Sequence, residues 1–194
     1  MKGLIAETPS TALAFLDQTL KAAPQFDRAR LAVWDLQNDA SEHQKALDAV
    51  GGIRPENRYA REGRFRAAVS LLNLKRYDEA LVSYETAARL KPEFTDTTFC
   101  AAFIRLLLGD AEGGWRDYEA RWDTRQYMGA KRNFTQPLWL GGEEIAGKTI
   151  LIHAEQGMGD TIMVCRYVPM VAALGAKVIV EVQPALMALM QSLD

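Results

Sequence analysis

The chain has 194 residues, enough for one ordinary domain, or for one small domain and part of another. An apolar fraction of 48% and a charged fraction of 25% are ordinary for soluble globular proteins, and a formal net charge of −2, with both signs mixed along the chain, gives no attraction toward nucleic acid or an anionic membrane. No run reaches the roughly 18 apolar residues of a membrane span, Glu7 comes too early for a secretory leader, and two distant cysteines, Cys100 and Cys165, point to a reducing, cytoplasmic setting rather than a disulfide framework.

A repeat organises the first part. Ala12, Ala46, Ala80 and Gly114 recur every 34 residues, each in a similar helical stretch. A small residue at that position lets two helices approach closely. The large residue four later (Leu16, Val50, Tyr84, Tyr118) falls on the same face. Pro24, Pro55 and Pro92 close three of these helices, because a proline ring cannot continue the hydrogen-bond ladder. The uneven proline spacing predicts that the middle repeat loses a few residues from its second helix and regains them before the next. Short turns are predicted at Lys75-Arg76-Tyr77 and at Gly109-Asp110. Ser41 and Gln44 have the spacing of a capping box, and Asp110 is a candidate N-cap. Gly114, in place of alanine, costs about 1 kcal/mol of helix propensity and marks a tightly packed or atypical last pair.

These residues resemble the tetratricopeptide repeat over about residues 8–122, as one leading helix and three helix pairs. Leu71, Tyr77, Ala80, Tyr84, Ala87 and Pro92 fall at that family's characteristic positions. The resemblance implies an α-solenoid that binds a protein or peptide on its concave face or serves as a docking scaffold. Family members that clamp a C-terminal carboxylate line that face with Lys and Asn. The comparable positions here include Asp35, Glu62, Phe65 and Val69, which form no such clamp.

After Trp122 the helical pattern fades. Residues 124–147 read as a connector rich in glycine, with aromatics at Tyr127, Phe134 and Trp139 that suggest it lies against something. Lys131 and Arg132, two adjacent cations with acids nearby, read as a solvated face rather than a nucleic-acid surface. A β-rich run, Thr149–His153, then leads into the glycine loop Ala154-Glu155-Gln156-Gly157-Met158-Gly159-Asp160. A helix is predicted from Thr161 to Leu174 with Gly175 as C-cap, then a second strand over 177–182 and a further helix opened by Pro184. The organisation expected is therefore a repeat domain over 1–123, a connector over 124–147 and an incomplete Rossmann-like parallel β-α-β unit over 148–194.

In open parallel sheets, ligands bind beyond the carboxyl ends of the strands. The dinucleotide fingerprint is incomplete, since Gly157-x-Gly159 is followed by Ile162 where a glycine is needed. Asp160 has two readings: an N-cap, or a carboxylate able to take a proton from an attacking sugar hydroxyl. The run Gly147–Ile162, continued by Cys165-Arg166-Tyr167-Val168-Pro169, together with Gln136-Pro137-Leu138-Trp139, looks like the start of the catalytic region of bacterial tetratricopeptide-glycosyltransferase proteins. Those are similar to heptosyltransferases, with the two-domain GT-B fold. The resemblance implies Asp160 as acceptor base, with Gly157 and Gly159 as loop glycines. His153, Glu155 and Gln156 border that site by position only. It implies no metal and no cofactor, and a nucleotide-sugar donor only for a longer parent, because the donor site of that fold lies mostly in a C-terminal domain.

Two functions follow as expectations. One is an enzyme fragment, a repeat scaffold fused to the first part of a glycosyltransferase and inactive by itself, with a glycan acceptor. The other is a non-catalytic protein-interaction module with a vestigial α/β tail. Two strands with apolar residues on both faces also raise the expectation of a truncated chain, or of self-association through the exposed α/β edge.

Overall fold

The structure is a computed structural model and describes residues 8–124, 131–155 and 157–192. The chain divides into two compact units, Met1–Lys131 and Arg132–Asp194.

The first unit is a run of helices. A leading helix, α1 (Pro9–Ala22), is followed by three pairs: α2 (Asp27–Asp39) with α3 (His43–Gly51), α4 (Ala60–Asn73) with α5 (Tyr77–Leu90), and α6 (Thr95–Leu107) with α7 (Ala111–Tyr118). A 3-10 turn, Glu119–Asp123, extends the last helix. The 34-residue period reappears as packing. Ala46 and Ala80 in the second helices are fully buried, and so are Ala68 and Ala102 in the first helices, while the equivalent Trp34 is buried in α2. Ala12 is only half-buried, since no first helix precedes α1 among the described residues. One buried cluster joins Leu31 and Trp34 to Ala46, Val50 and Ile53. A second joins Ala68, Leu71, Ala80 and Tyr84 to Ala101 and Ile104.

The turn inside each pair is also periodic. Ser41 (φ 60°), Lys75 (φ 60°) and Gly109 (φ 88°), each 34 residues apart, are left-handed. At each, the chain closes the preceding helix with the paired backbone bonds of a Schellman motif. Glu42 N donates to Gln37 O at 2.8 Å, Arg76 N to Leu71 O at 2.9 Å and Asp110 N to Arg105 O at 2.9 Å. This corrects the capping-box expectation: Ser41 ends α2 rather than capping α3, whose N-cap position is Glu42, with no side-chain cap bond. Asp110 does cap α7, accepting from Gly113 N at 2.9 Å. Pro24 and Pro92 follow directly on the C-cap residues of α1 and α5, whereas α3 ends at Gly51, well ahead of Pro55, so that proline does not close it. Helix α3 has 9 residues against 14 in α5, and α4 starts only at Ala60.

The second unit is a β-α-β arrangement. β1 (Thr149–His153) and β2 (Lys177–Glu181) pair in parallel, with Thr149 opposite Lys177 and His153 opposite Glu181. The predicted single helix over 161–174 is replaced by a shorter, interrupted one. It is α8 (Met158–Val164), a 3-10 turn at Cys165–Tyr167, and α9 (Val168–Ala172). Pro169 has no N–H to give to Cys165 O, so the carbonyl is met instead by Val168 N in the tighter turn. Gly175 (φ 86°) ends the segment. After β2, a 3-10 turn at Pro184–Leu186 runs into α10 (Met187–Met190). Burial here is sparse: Ile145 and Leu186 are buried, while Leu151, Ile179 and Val180 in the strands are exposed. Among the described residues, no helix is long and apolar enough to cross a membrane.

Candidate functional sites

Each unit carries a candidate site. In the α/β unit, His153 is the last residue of β1 and half-buried. Glu155 and Gly157 lie in the loop that leaves the strand. Gly159 and Asp160 fall in the first turn of α8, and all four are exposed. Gln156 lies outside the described residues. The N-cap position is Gly157, so Asp160 sits three residues inside the helix, and the capping reading of Asp160 does not hold. A Cβ on Gly157 would come 3.2 Å from Asp160 Oδ2, so the glycine leaves room for that carboxylate. The buried Thr161 hydroxyl follows, 3.1 Å from Gln183 Oε1 of the segment after β2.

The connector contributes to the same end of the strands. Phe134 packs on His153 with ring centroids 5.3 Å apart. Arg132 stacks over Phe134 at 4.6 Å and forms an ion pair with Glu181, the residue that ends β2. The hydrogen bond from Arg132 holds the Glu181 carboxyl below the usual glutamate range. Arg132 and Glu181 are both exposed, so this is a surface ion pair, and the solvated-face reading of Lys131 and Arg132 stands. Sequence reasoning missed Glu181, Thr161 and Arg132 as site residues: the parallel register places Glu181 beside His153, the contact with Gln183 places Thr161, and the course of the connector places Arg132. Among the described residues, no three His, Cys, Asp or Glu side chains gather as metal ligands would.

The repeat unit holds an open groove of about 650 Å³ between α2, α4, the segment that joins α3 to α4, and the end of α5. Of the four positions considered for a clamp, Asp35 and Glu62 line this groove, whereas Phe65 and Val69 turn into the core. Phe65 meets Tyr84 edge-on at 5.5 Å. The cations of the groove are Arg28, Arg58, Arg61, Arg66 and Lys91. Arg66 Nη2 lies 3.0 Å from Asp35 Oδ1, and Arg66 also pairs with Glu62, as does Arg61. The period of small residues could not reveal this set: Arg28, Arg61 and Arg66 sit on α2 and α4 at positions outside the small-residue series, Arg58 belongs to the lengthened α3–α4 connection and Lys91 to a helix end.

No known protein-family profile matches the chain. Protein FlbA of Caulobacter vibrioides is 28% identical over 167 residues, which is 84% of this chain and 22% of that protein, so the chain spans a minor part of the curated relative it matches. Among solved structures, a crystal structure of MamA superimposes with a TM-score of 0.56, covering 61% of this chain and 69% of that one at 14% identity. A second MamA crystal structure gives 0.55, covering 66% and 70% at 15% identity. At these identities the likeness is one of fold, and the fold is a tetratricopeptide-type helical repeat. The matches carry the solenoid and do not extend to glycosyltransferase chemistry.

Proposed function

We propose that this chain is a protein-interaction module, with its helical repeats docking a polypeptide partner in the groove over α2 and α4. The observation that carries this reading is the open groove itself, on a tetratricopeptide-type stack with buried apolar cores between its helices. Ala32, half-exposed on α2, lines it. Panning a displayed random-peptide library against the chain should enrich a family of peptides, and Ala32→Trp, which fills the groove, should abolish their binding with the helical circular dichroism unchanged. A library that enriches nothing, or binding indifferent to Ala32→Trp, removes the reading.

A second reading, the first part of a glycosyltransferase, draws on one observation. The parallel pair β1–β2 is followed at its carboxyl end by a glycine loop and the exposed carboxylate of Asp160. In that reading Asp160 takes the proton of an acceptor hydroxyl, and His153, Glu155, Gln156, Gly157 and Gly159 form the substrate loop. The exposed apolar residues of both strands would be covered by further strands of a longer chain, or by a second copy. The fact that FlbA is several times longer than the aligned region favours the longer chain. Calorimetric titration of this chain with nucleotide sugars should release no heat, while sugar transfer by a longer parent should be lost on Asp160→Asn. A parent whose sugar transfer is unchanged by Asp160→Asn would eliminate the assignment.

A further inference from the structure

We propose that the occupant of the α2–α4 groove is an extended acidic peptide segment with interspersed apolar residues. This rests on the docking reading above and adds the chemistry of the partner. Five cations line the groove against two acids, in a chain whose overall balance is −2. Both acids are already committed, Asp35 to Arg66 and Glu62 to Arg66 and Arg61. Arg61 is further held over the Phe94 ring at 3.9 Å. What faces a ligand is the unmatched remainder. Arg28 and Arg58 are exposed, and neither pairs with a carboxylate among the described residues. Arg58 is nevertheless oriented: it donates to the Tyr59 hydroxyl at 2.6 Å and stacks over that ring at 4.7 Å. That leaves the rest of a rigid guanidinium fork directed at an incoming carboxylate.

Between the cations the wall has apolar stretches, from Ala32 on α2, Pro55 in the connection and Leu90 at the end of α5. A ligand of carboxylates alone would leave that wall wet, and an apolar peptide would desolvate the arginines without a partner. Alternation of the two satisfies both. A single-stranded nucleic acid suits the groove less well. Base binding needs free aromatic faces, and the face of the one aromatic ring in the lining, Tyr59, carries Arg58.

The test uses a fluorescein-labelled synthetic peptide of alternating Glu and Leu, read by fluorescence anisotropy. It should bind the chain, and the Arg28→Glu, Arg58→Glu double variant should weaken binding by about tenfold or more with the circular dichroism unchanged. Raising salt from about 0.1 M to 1 M, which shortens the screening length from about 10 Å to 3 Å, should weaken it similarly. The peptide with Lys in place of Glu should not bind. Enriched library peptides that carry no acidic excess, equal affinity of the double variant, or tighter binding of an oligothymidine than of the acidic peptide would each overturn the inference while leaving a docking groove in place. A library that enriches nothing at all would overturn the docking reading and this inference together.

Discussion

The indole N–H of Trp34 donates to the hydroxyl of Ser70 at 2.8 Å, linking α2 to α4 inside the repeat stack. Both residues are buried, Ser70 completely. The bond ties the first helices of successive pairs beneath the groove, and Arg66, which holds Asp35 and Glu62, lies over the same indole at 5.1 Å. The core of the stack and the electrostatics of the groove thus share one side chain. Ser70→Ala leaves a buried donor with no partner, which costs about 1–3 kcal/mol. Urea unfolding followed by circular dichroism should register that loss. In a Trp34→Phe background the same substitution should cost much less, because the donor is already gone. Equal costs in the two backgrounds would mean the bond contributes nothing.

Glycine should act with opposite signs at two positions of the repeat. Lys75 is exposed and left-handed at φ 60°, where its counterpart in the next repeat is Gly109. Lys75→Gly removes a Cβ penalty at that conformation and should stabilise by about 1 kcal/mol, reduced by the greater freedom of glycine in the unfolded chain. Gly114 stands where the earlier repeats have Ala46 and Ala80. A Cβ there would come 2.6 Å from Leu106 Cγ and 3.1 Å from the Leu106 backbone nitrogen. Gly114→Ala gains about 1 kcal/mol of helix propensity, but overpacking of a close helix contact costs about 1–3 kcal/mol. Because a backbone atom is among the neighbours, the net effect should be a loss. Thermal unfolding of the two variants should shift in opposite directions.

These positions also mark what the sequence made legible. The interval from Ala46 to Ala80 to Gly114 reported close helix crossings directly, because only a small residue fits there, and Pro24 and Pro92 reported helix ends. Ser41 misled because a serine three residues before Gln44 satisfies the capping-box spacing, whereas the residue is needed to turn the chain in the left-handed region, a demand invisible in spacing. The shortened α8 traces to Pro169, which was read as part of a family resemblance rather than as a missing donor. At the strand ends, the order of β1, loop and helix could be read, but the partnership of Arg132, Phe134, His153 and Glu181 could not. It depends on the register of β1 against β2 and on the course of the connector. The groove cations escaped because the period marks only the small buried positions: Arg28, Arg61 and Arg66 lie on helix faces away from that series, and Arg58 and Lys91 lie beyond the helices altogether.

Asp110 shows how the last helix pair depends on pH. Its carboxylate accepts from Gly113 N at 2.9 Å and from Arg105 Nη1 at 2.9 Å. The backbone bond first, and then the arginine, hold its pKa below the ordinary aspartate value. A carboxyl depressed in the folded state contributes stability that is present above the unfolded pKa, about 3.9, and is lost as pH falls through the folded value. Glu79, bonded to Arg76, and Glu181, bonded to Arg132, contribute with the same sign. Stability should therefore be level near neutrality and fall below about pH 4. Asp110→Asn keeps a side-chain oxygen for the Gly113 N–H but cannot titrate. It should be less stable than the parent at pH 7, having lost the Arg105 pairing, and should lose stability more slowly on acidification, so that the two curves converge once the parent carboxylate is protonated. Urea midpoints measured across that range decide it. Curves that stay parallel would mean that Asp110 is not among the groups whose protonation loosens the fold.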